Sequence, residues 1–588
     1  MTDRTRTLAA HRRRLPTRIA LLLSCAPLLA AAQRPAADLV LLNGRVITVD
    51  ARDRVVQAVA IGGGRILAVG TNAEVLRFAG AATRRVDLKG RSATPGLLDA
   101  HAHFSTGAAA RATLDLSYPA GATVAAVRDS VAARSRAARA GTWVLGRGWD
   151  EGKLAERRLL AATDLDAASG DHPVWLEHTT GHYGVANSRA LQLAGITRDS
   201  KDPPGGTIDR LPDGMPTGVL KENAQNLVIR LIPPGTQADL ESGMAALARD
   251  FNAEGMTGLK DPGIDAATWS SYAHVRDRGE LSVRVFALWD GGNTVESVQA
   301  VLDRAASFTR PYESTGDDRL IAGGVKIYMD GSGGARTAWM SSPWNRNSRE
   351  VDGTNAGYPA RDPEIARRQI LMVHNAGLHV AVHAVGDKAI DWVMDSYAEA
   401  FRAKPTKGLR HGIIHANIPS EHALRLMADF QKRFDAAYPE PSATFLWWIG
   451  DNYAANFGPE RSLRLNPFRT YLNRGIVWAN GSDYIVTPFP ARYGIWSAVA
   501  RESLLGTWGK TPFGTAESVG VRDALRAATI WPAHQMFLEK KIGSLEVGKY
   551  ADIAVWDRDP YTVSTADLKD MRCEMTVFNG KVVFERRP

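Results

Sequence analysis

Apolar positions in this chain follow two patterns. At both ends the apolar runs are short and alternate with polar residues around Gly-containing turns. Asp38 to Asp50 reads as strand, Asn43-Gly44 turn, strand, and Val56 to Val69 repeats the pattern around Gly62-Gly63-Gly64. Ala551–Trp556 and Met575–Phe584 look the same at the far end. Neither terminal segment can close a core alone, so the two are expected to pair into one small β-sandwich. Between them, short apolar strands alternate with longer runs of helical period. Examples are Gly323–Tyr328 as strand, Glu364–Asn375 as helix and Leu378–His383 as strand. That alternation predicts βα units around a parallel sheet. The predicted fold class is α/β: a (β/α)8 TIM barrel over residues 95–535, with the β-sandwich built from 33–94 and 536–588. The barrel span leaves room for insertions, and the Gly/Pro-rich stretch Lys201 to Pro216 is the first place to expect one.

Residues 1–32 have a separate character. A basic region ends at Arg18, an apolar run extends from Ile19 to Ala32, and Ala30-Ala31-Ala32 offers a small-residue cleavage site before Gln33. This is the order of a signal peptide, and the run is too short to span a bilayer. The mature protein is expected to be exported, periplasmic or secreted, with no transmembrane span. A lipid anchor through Cys25 is the alternative. The leader also explains much of the charge. The 588-residue chain carries +9, from 72 Lys and Arg against 63 Asp and Glu. Six of those Arg and one Asp lie in residues 1–32, so the remainder carries +4. No basic block follows, and nothing points to nucleic acid. Of the two Cys, only Cys573 lies outside the leader, which excludes an internal disulfide and a cysteine-based zinc site.

Candidate chemistry gathers at the ends of the apolar runs. In Thr94-Pro-Gly-Leu-Leu-Asp-Ala-His-Ala-His103, two histidines stand two apart, a spacing that points both to one side of an extended chain. Alone, that is as easily a polar turn as half a metal site. Lys326, His383, His415 and Asp483 then occupy the ends of four later runs. In a barrel these ends form the face where active sites lie. His379 and His411 begin two of the same runs and are expected in the core or on the opposite surface. Each of the later residues has a plain structural alternative, such as a capped histidine or Lys326 paired with Asp330. Five strand ends supplying His-x-His, Lys, His, His and Asp together argue for a metal site.

That order resembles the amidohydrolase superfamily. Gly543 to Val555 is similar to its return into the terminal β segment, and the resemblance covers nearly all of the chain beyond the leader. More narrowly, it resembles the long amidohydrolases that include N-substituted formamide deformylases. The matching pieces are Gly181–Ser188, Pro216–Glu222, Lys326 with Asp330-Gly331-Ser332 and Arg336-Thr337-Ala338, and His383–Asp387. The resemblance implies two divalent ions, zinc being the first candidate. His101, His103 and Asp483 would hold one, His383 and His415 the other, and a carboxylated Lys326 would bridge them. Lys260 competes for the bridging role. Asp483 would serve as general acid/base, and His182 would bond the substrate carbonyl. One departure stands out: Glu440-Pro441 occupies the place of the subgroup's usual Gln-Pro.

The resulting expectation is a metal-dependent hydrolase acting on an amide or related C–N bond of a small molecule. An esterase, lactonase or carbamate hydrolase on the same centre is the alternative. His182, Glu440, Trp447 and Tyr484 are the candidate substrate contacts. Trp447, Trp448, Tyr484, Phe489 and Trp496, on the last two loops, suggest an apolar or aromatic substrate group. Assembly as a homo-oligomer is left open. The leader yields a direct test. Mass spectrometry of the native protein should find an N-terminus near Gln33, and an intact Met1 on cytoplasmic protein would refute export.

Overall fold

The computed structural model describes residues 36–308, 316–345, 353–506 and 512–587. Residues 1–32, where a signal peptide is expected, and Cys25 among them lie outside the described residues. Among the described residues there are four sheets, and the largest is parallel with seven strands. In spatial order these run Leu97–Asp99, Met256–Ile264, Arg284–Asp290, Leu320–Tyr328, Val380–Ala384, Gly412–His415 and Tyr438–Glu440. They are numbered first to seventh below. Each follows its neighbour in sequence, with helices such as Gln237–Ala253, Pro363–Asn375, Asp387–Ala403 and Glu421–Phe434 between them.

The curl of this sheet is visible in its side chains. Val285, Ala287 and Trp289 join a core that also contains Met244, Phe251, Ile370 and Val373 of the helices. Phe286 and Leu288, the alternate residues, instead pack with Leu98, Ile321, Ala381 and Ile414 from four other strands of the sheet. Period-two alternation thus separates a helix-covered face from an interior face. The stretch expected to form the last barrel strand, Ile476 to Asp483, is not a regular strand. Its backbone still joins the two edges. Ala479 N–H donates to Pro439 O at 3.1 Å and Gly481 N–H to Pro441 O at 3.1 Å on one side, while Asn480 O accepts from Ala100 N–H at 3.0 Å on the other.

The two chain ends meet as expected. Ser92–Pro95 pairs antiparallel with Ile553–Trp556, Thr94 opposite Ala554, at the centre of a six-stranded sheet. Leu39, Val59, Ile61, Leu545, Ile553 and Val577 share one core. Gly63-Gly64 and Asn579-Gly580, all at positive φ, close two-residue hairpins between Gly62 and Arg65 and between Phe578 and Lys581. The Asn43-Gly44 hairpin is a correction. Ala37–Leu42 pairs within a four-stranded sheet and Arg45–Ile47 within the six-stranded one, so the dipeptide is a corner between sheets. A Cβ on Gly44 would stand 2.3 Å from Leu88 Cδ1, so the glycine serves close packing there.

The insertion is larger than its Gly/Pro signature suggested. Between the first and second strands lies a mixed six-stranded sheet running from Leu114–Asp115 to Pro216–Glu222. Lys201 to Pro216 contributes only its outer hairpin, Gly206–Arg210 against Pro216–Glu222. Among the described residues no helix is long and apolar enough to cross a membrane.

One buried ion pair fastens the parallel sheet to the C-terminal segment. Arg284 Nε donates to Asp552 Oδ2 at 2.8 Å, and both side chains are nearly inaccessible. Tyr550 and Phe578 stack on the guanidinium, 4.2 and 5.0 Å from their ring centres. Removing the carboxylate strands a buried cation. Asp552→Ala should therefore cost about 3–5 kcal/mol, read as a lower urea midpoint. A loss below about 1 kcal/mol would mean that stacking, Asp318 O and Asn579 Oδ1 satisfy Arg284 without the carboxylate.

Candidate metal centre

The fold brings His101, His103, Lys326, His383, His415 and Asp483 to one end of the parallel sheet. Asp483 Oδ1 lies 3.1 Å from His101 Nε2 and 3.3 Å from His103 Nε2. His415 Nε2 lies 3.1 Å from His383 Nδ1. Ligands sharing one tetrahedral ion at bonds of about 2.0–2.1 Å stand roughly 3.3–3.4 Å apart, close to these spacings. His101, His415 and Asp483 offer donor atoms within 4.8 Å of one another.

The supporting hydrogen bonds fit this role. His383 Nε2 lies 3.0 Å from Gly331 O, an acceptor only, so Nε2 carries the hydrogen and the Nδ1 lone pair faces His415. Burial holds His101 and His383 well below the usual imidazole range and His415 at about 3, so all three are neutral donors. Burial raises the Asp483 carboxyl, but His101 and His103 overcome it and keep the group ionised. Lys326 Nζ is wholly buried and has no hydrogen-bond partner. Burial lowers its amine to about 7, against the pull of Asp483 and Glu440. The donor set of imidazoles and one carboxylate, with an orphaned amine among them, fits a divalent-metal site.

Two carboxylates behind the ligands fix their loops. Asp99 Oδ1 accepts from the N–H groups of His101 at 3.0 Å and Ser482 at 2.9 Å, and its Oδ2 accepts from the Ser482 hydroxyl at 2.6 Å. Asp330 accepts from Trp339, Val385 and Gly386 N–H at 2.9–3.0 Å. It does not pair with Lys326, which removes the plain alternative for that lysine.

A cavity of about 440 Å³ opens over these residues. His103, His383, His415 and Asp483 form its floor, and Arg147, Glu177, Thr180, His182 and Glu222 from the inserted sheet form a wall. The walls are mainly polar, which does not match the expected apolar or aromatic pocket. Trp447 accounts for part of the mismatch: it packs in the core against Tyr493 and Trp496, not in the cavity. Tyr484 lines a neighbouring cleft that shares Arg147, Ile485 and Val486 with the first. Glu440 is also displaced from its expected place at the substrate. It is 0 % exposed and lies 2.5 Å from Lys260 Nζ, because its strand directs it to the sheet interior.

His182 does reach the cavity, with its ring centre 5.3 Å from that of His383. Its Nδ1 lies 3.0 Å from Glu222 Oε2, and Glu222 also accepts from the Thr337 hydroxyl at 2.5 Å. Burial disfavours the imidazolium, but Glu222 raises it above the usual value. The role of Glu222 was readable only as the last residue of a matched motif. Arg147 and Arg361, both in the cavity wall, carried no sequence signal at all. A second group of metal-type residues, Asp150, Glu151 and His178, is already occupied by protein donors. Lys153 Nζ lies 3.1 Å from Asp150, and Tyr183 donates to Glu151 at 2.8 Å. His178 Nδ1 lies 2.9 Å from the Thr180 hydroxyl, so this cluster braces the loop that carries His182. Asn187 caps the helix Ser188–Ala194.

Losing the Asp330 carboxylate should loosen the His383 loop without removing a ligand. Asp330→Ala is expected to lower metal affinity by about 10–100-fold, the usual scale for residues supporting a ligand. Chelator competition would measure it, and unchanged affinity would rule out that support.

Comparison with known proteins agrees with this fold. A solved structure of an uncharacterized metal-dependent hydrolase from Pyrococcus horikoshii OT3 superimposes with a TM-score of 0.68 at 24% identity, over 90% of this chain and 99% of that one. In sequence, the chain is 31% identical to the N-substituted formamide deformylase of Arthrobacter pascens, over 93% of this chain and 98% of that protein. It is 30% identical to the protein LONG AFTER FAR-RED 3 of Arabidopsis thaliana, over 90% of each. The model of the Amidohydrolase family matches residues 84–584, a span that holds every candidate ligand. The chain therefore belongs to the amidohydrolase family of hydrolases.

Proposed function

We propose that this protein hydrolyses an amide or related C–N bond of a small polar molecule at a binuclear metal centre. The observation that carries the reading is the double convergence at one sheet end: Asp483 on His101 and His103, and His383 on His415, around the orphaned Lys326 amine. On this reading His101, His103 and Asp483 would hold one divalent ion and His383 and His415 the other, and Lys326, carboxylated by carbon dioxide, would add an oxygen donor. Zinc suits imidazole and carboxylate ligands. When bound, the ions supply Lewis acidity that acidifies water toward a pKa of about 7 and polarises the scissile carbonyl.

The chain's own groups do the rest. Asp483, ionised, takes a proton from the attacking water and returns it to the leaving nitrogen. His182, oriented through Nδ1 by Glu222, donates from Nε2 to the carbonyl oxygen as negative charge develops there. Asp290, Arg147 and Arg361 give the cavity polar walls suited to hydrogen-bonding substrate groups. The architecture is read as a (β/α)8 barrel in which Ile476–Asp483 takes the eighth strand's place, with the terminal β segments as two halves of one sandwich. The edge-to-edge backbone bonds and the Ser92–Pro95 pairing support this. Residues 1–32 are read as an export signal.

Asp483→Asn tests the chemistry, because it keeps an oxygen donor and removes the base. Turnover on an amide substrate should fall by about 10²-fold or more while metal content falls only modestly. Near-normal turnover at full metal content would refute Asp483 as the proton carrier. Paired amide and ester substrates would separate the two bond classes.

A further inference from the structure

One more polar group reaches the cavity from the parallel sheet. Tyr328 closes the fourth strand, two residues after Lys326, so both side chains point to the interior face and Tyr328 stands nearer the ligand end. In the parallel pairing it lies directly opposite His383. Its ring centre is 4.4 Å from Lys326 Nζ and 5.5 Å from the His383 ring centre. His182 flanks the same imidazole at 5.3 Å. The hydroxyl end lies by Gly263 of the second strand, where even a Cβ would stand 3.6 Å away. Tyr328 lines the cavity, and among the described residues its hydroxyl has no hydrogen-bond partner. Other buried tyrosines differ. Tyr183 donates to Glu151, Tyr272 to Asp261, Tyr397 to Gly412 O and Tyr471 to Ala416 O, at 2.5–2.8 Å. Burial raises the Tyr328 phenol well above its usual range, so it stays a donor at any working pH. A half-buried hydroxyl left without a protein acceptor calls for one from outside the chain.

We propose that Tyr328 is a catalytic residue whose hydroxyl donates a second hydrogen bond, beside that of His182, to the oxygen of the scissile carbonyl. The proposal rests on the amide-hydrolysis reading above. A carbonyl drawn over His383 lies between the two rings that flank that imidazole. As the water oxygen bonds to the carbonyl carbon, the C=O π electrons move onto the carbonyl oxygen. The two donors face the charge that forms there and keep their hydrogens. When the C–N bond breaks, the electron pair on oxygen restores the carbonyl, and the nitrogen takes the proton carried by Asp483. Donors already in place favour this charged state over the neutral carbonyl, so their loss shows in turnover more than in substrate binding. The ring itself also covers Lys326, which phenylalanine would do equally well. The hydroxyl has no such use in the fold.

The test is Tyr328→Phe in the full-length, zinc-loaded protein. The substrate probes are a panel of N-substituted formamides and acetamides, and the phosphonamidate matching the best of them stands in for the tetrahedral state. The readouts are kcat, KM, the phosphonamidate dissociation constant, zinc per chain and thermal midpoint. Turnover should fall about 10²-fold while KM stays within about threefold, the pattern for one donor to a developing oxyanion. Phosphonamidate binding should weaken by a like factor. Zinc content and thermal midpoint should match the parent, because the lost hydroxyl has no protein partner. Tyr328→Phe/His182→Gln should lose less than the product of the two single losses, as groups acting on one oxygen do. A parent inactive on the whole panel would overturn the amide-hydrolysis reading and this proposal with it. An active parent whose Tyr328→Phe variant keeps near-normal kcat would overturn the proposal alone. So would a variant that loses zinc or thermal midpoint along with activity, since the hydroxyl would then be structural support. Full additivity in the double variant would put the two donors on different groups and overturn the shared oxygen.

Discussion

The site depends on one buried carboxylate. Asp99 ties the segment after the first strand, which carries His101 and His103, to the segment that ends in Asp483, by accepting three hydrogen bonds from His101 and Ser482. Burial pushes the Asp99 carboxyl up to about 7, and those bonds act against the rise. Hydrogen bonds to a charged acceptor each contribute roughly 1.5–3 kcal/mol, so the clasp offsets part of its own desolvation while it sets ligand spacing. Asp330 does the equivalent for the His383 loop through three backbone N–H groups. The segments that carry the candidate ligands are therefore held by backbone-to-carboxylate bonds behind them, and His103, His383, His415 and Asp483 face the cavity.

Backbone conformation contributes as well. Along the sixth strand, Ile413 packs toward the helices and Ile414 toward the interior, so strict alternation would send His415 outward. Its φ of +72° breaks the alternation and brings the imidazole over His383. Asp483 and Glu222 also have positive φ, +53° and +49°. Non-glycine residues in this region store about 1–3 kcal/mol each. The sheet supplies that energy through rigid neighbours, such as the Asp483 N–H bond to His101 O at 2.7 Å.

The convergence of the candidate ligands was legible because strand-end position and residue type are both local in sequence. The pairing of the chain ends was legible for a similar reason: two alternating segments each lacked a core. The failures are non-local. Asn43-Gly44 has the composition of a hairpin turn, but the strands beyond it find better partners in two different sheets. Trp447 and Glu440 were placed at the substrate by loop position, yet ring packing and an ion pair to a strand far away in sequence took them elsewhere. Glu222, Arg147 and the Asp150–Glu151–His178 cluster belong to an inserted sheet whose docking against the ligand face follows from no local pattern.

The central pairing of Ser92–Pro95 with Ile553–Trp556 also bears on when the molecule can fold. Trp556 Nε1 donates to Thr94 Oγ1 across a sequence separation of 462 residues. A strand synthesised early thus waits for a partner made almost last, and closing so long a loop slows folding. Until then its edge and the apolar face beneath it stay open to other chains. Such a chain can complete that six-stranded sheet only once its last residues have been made.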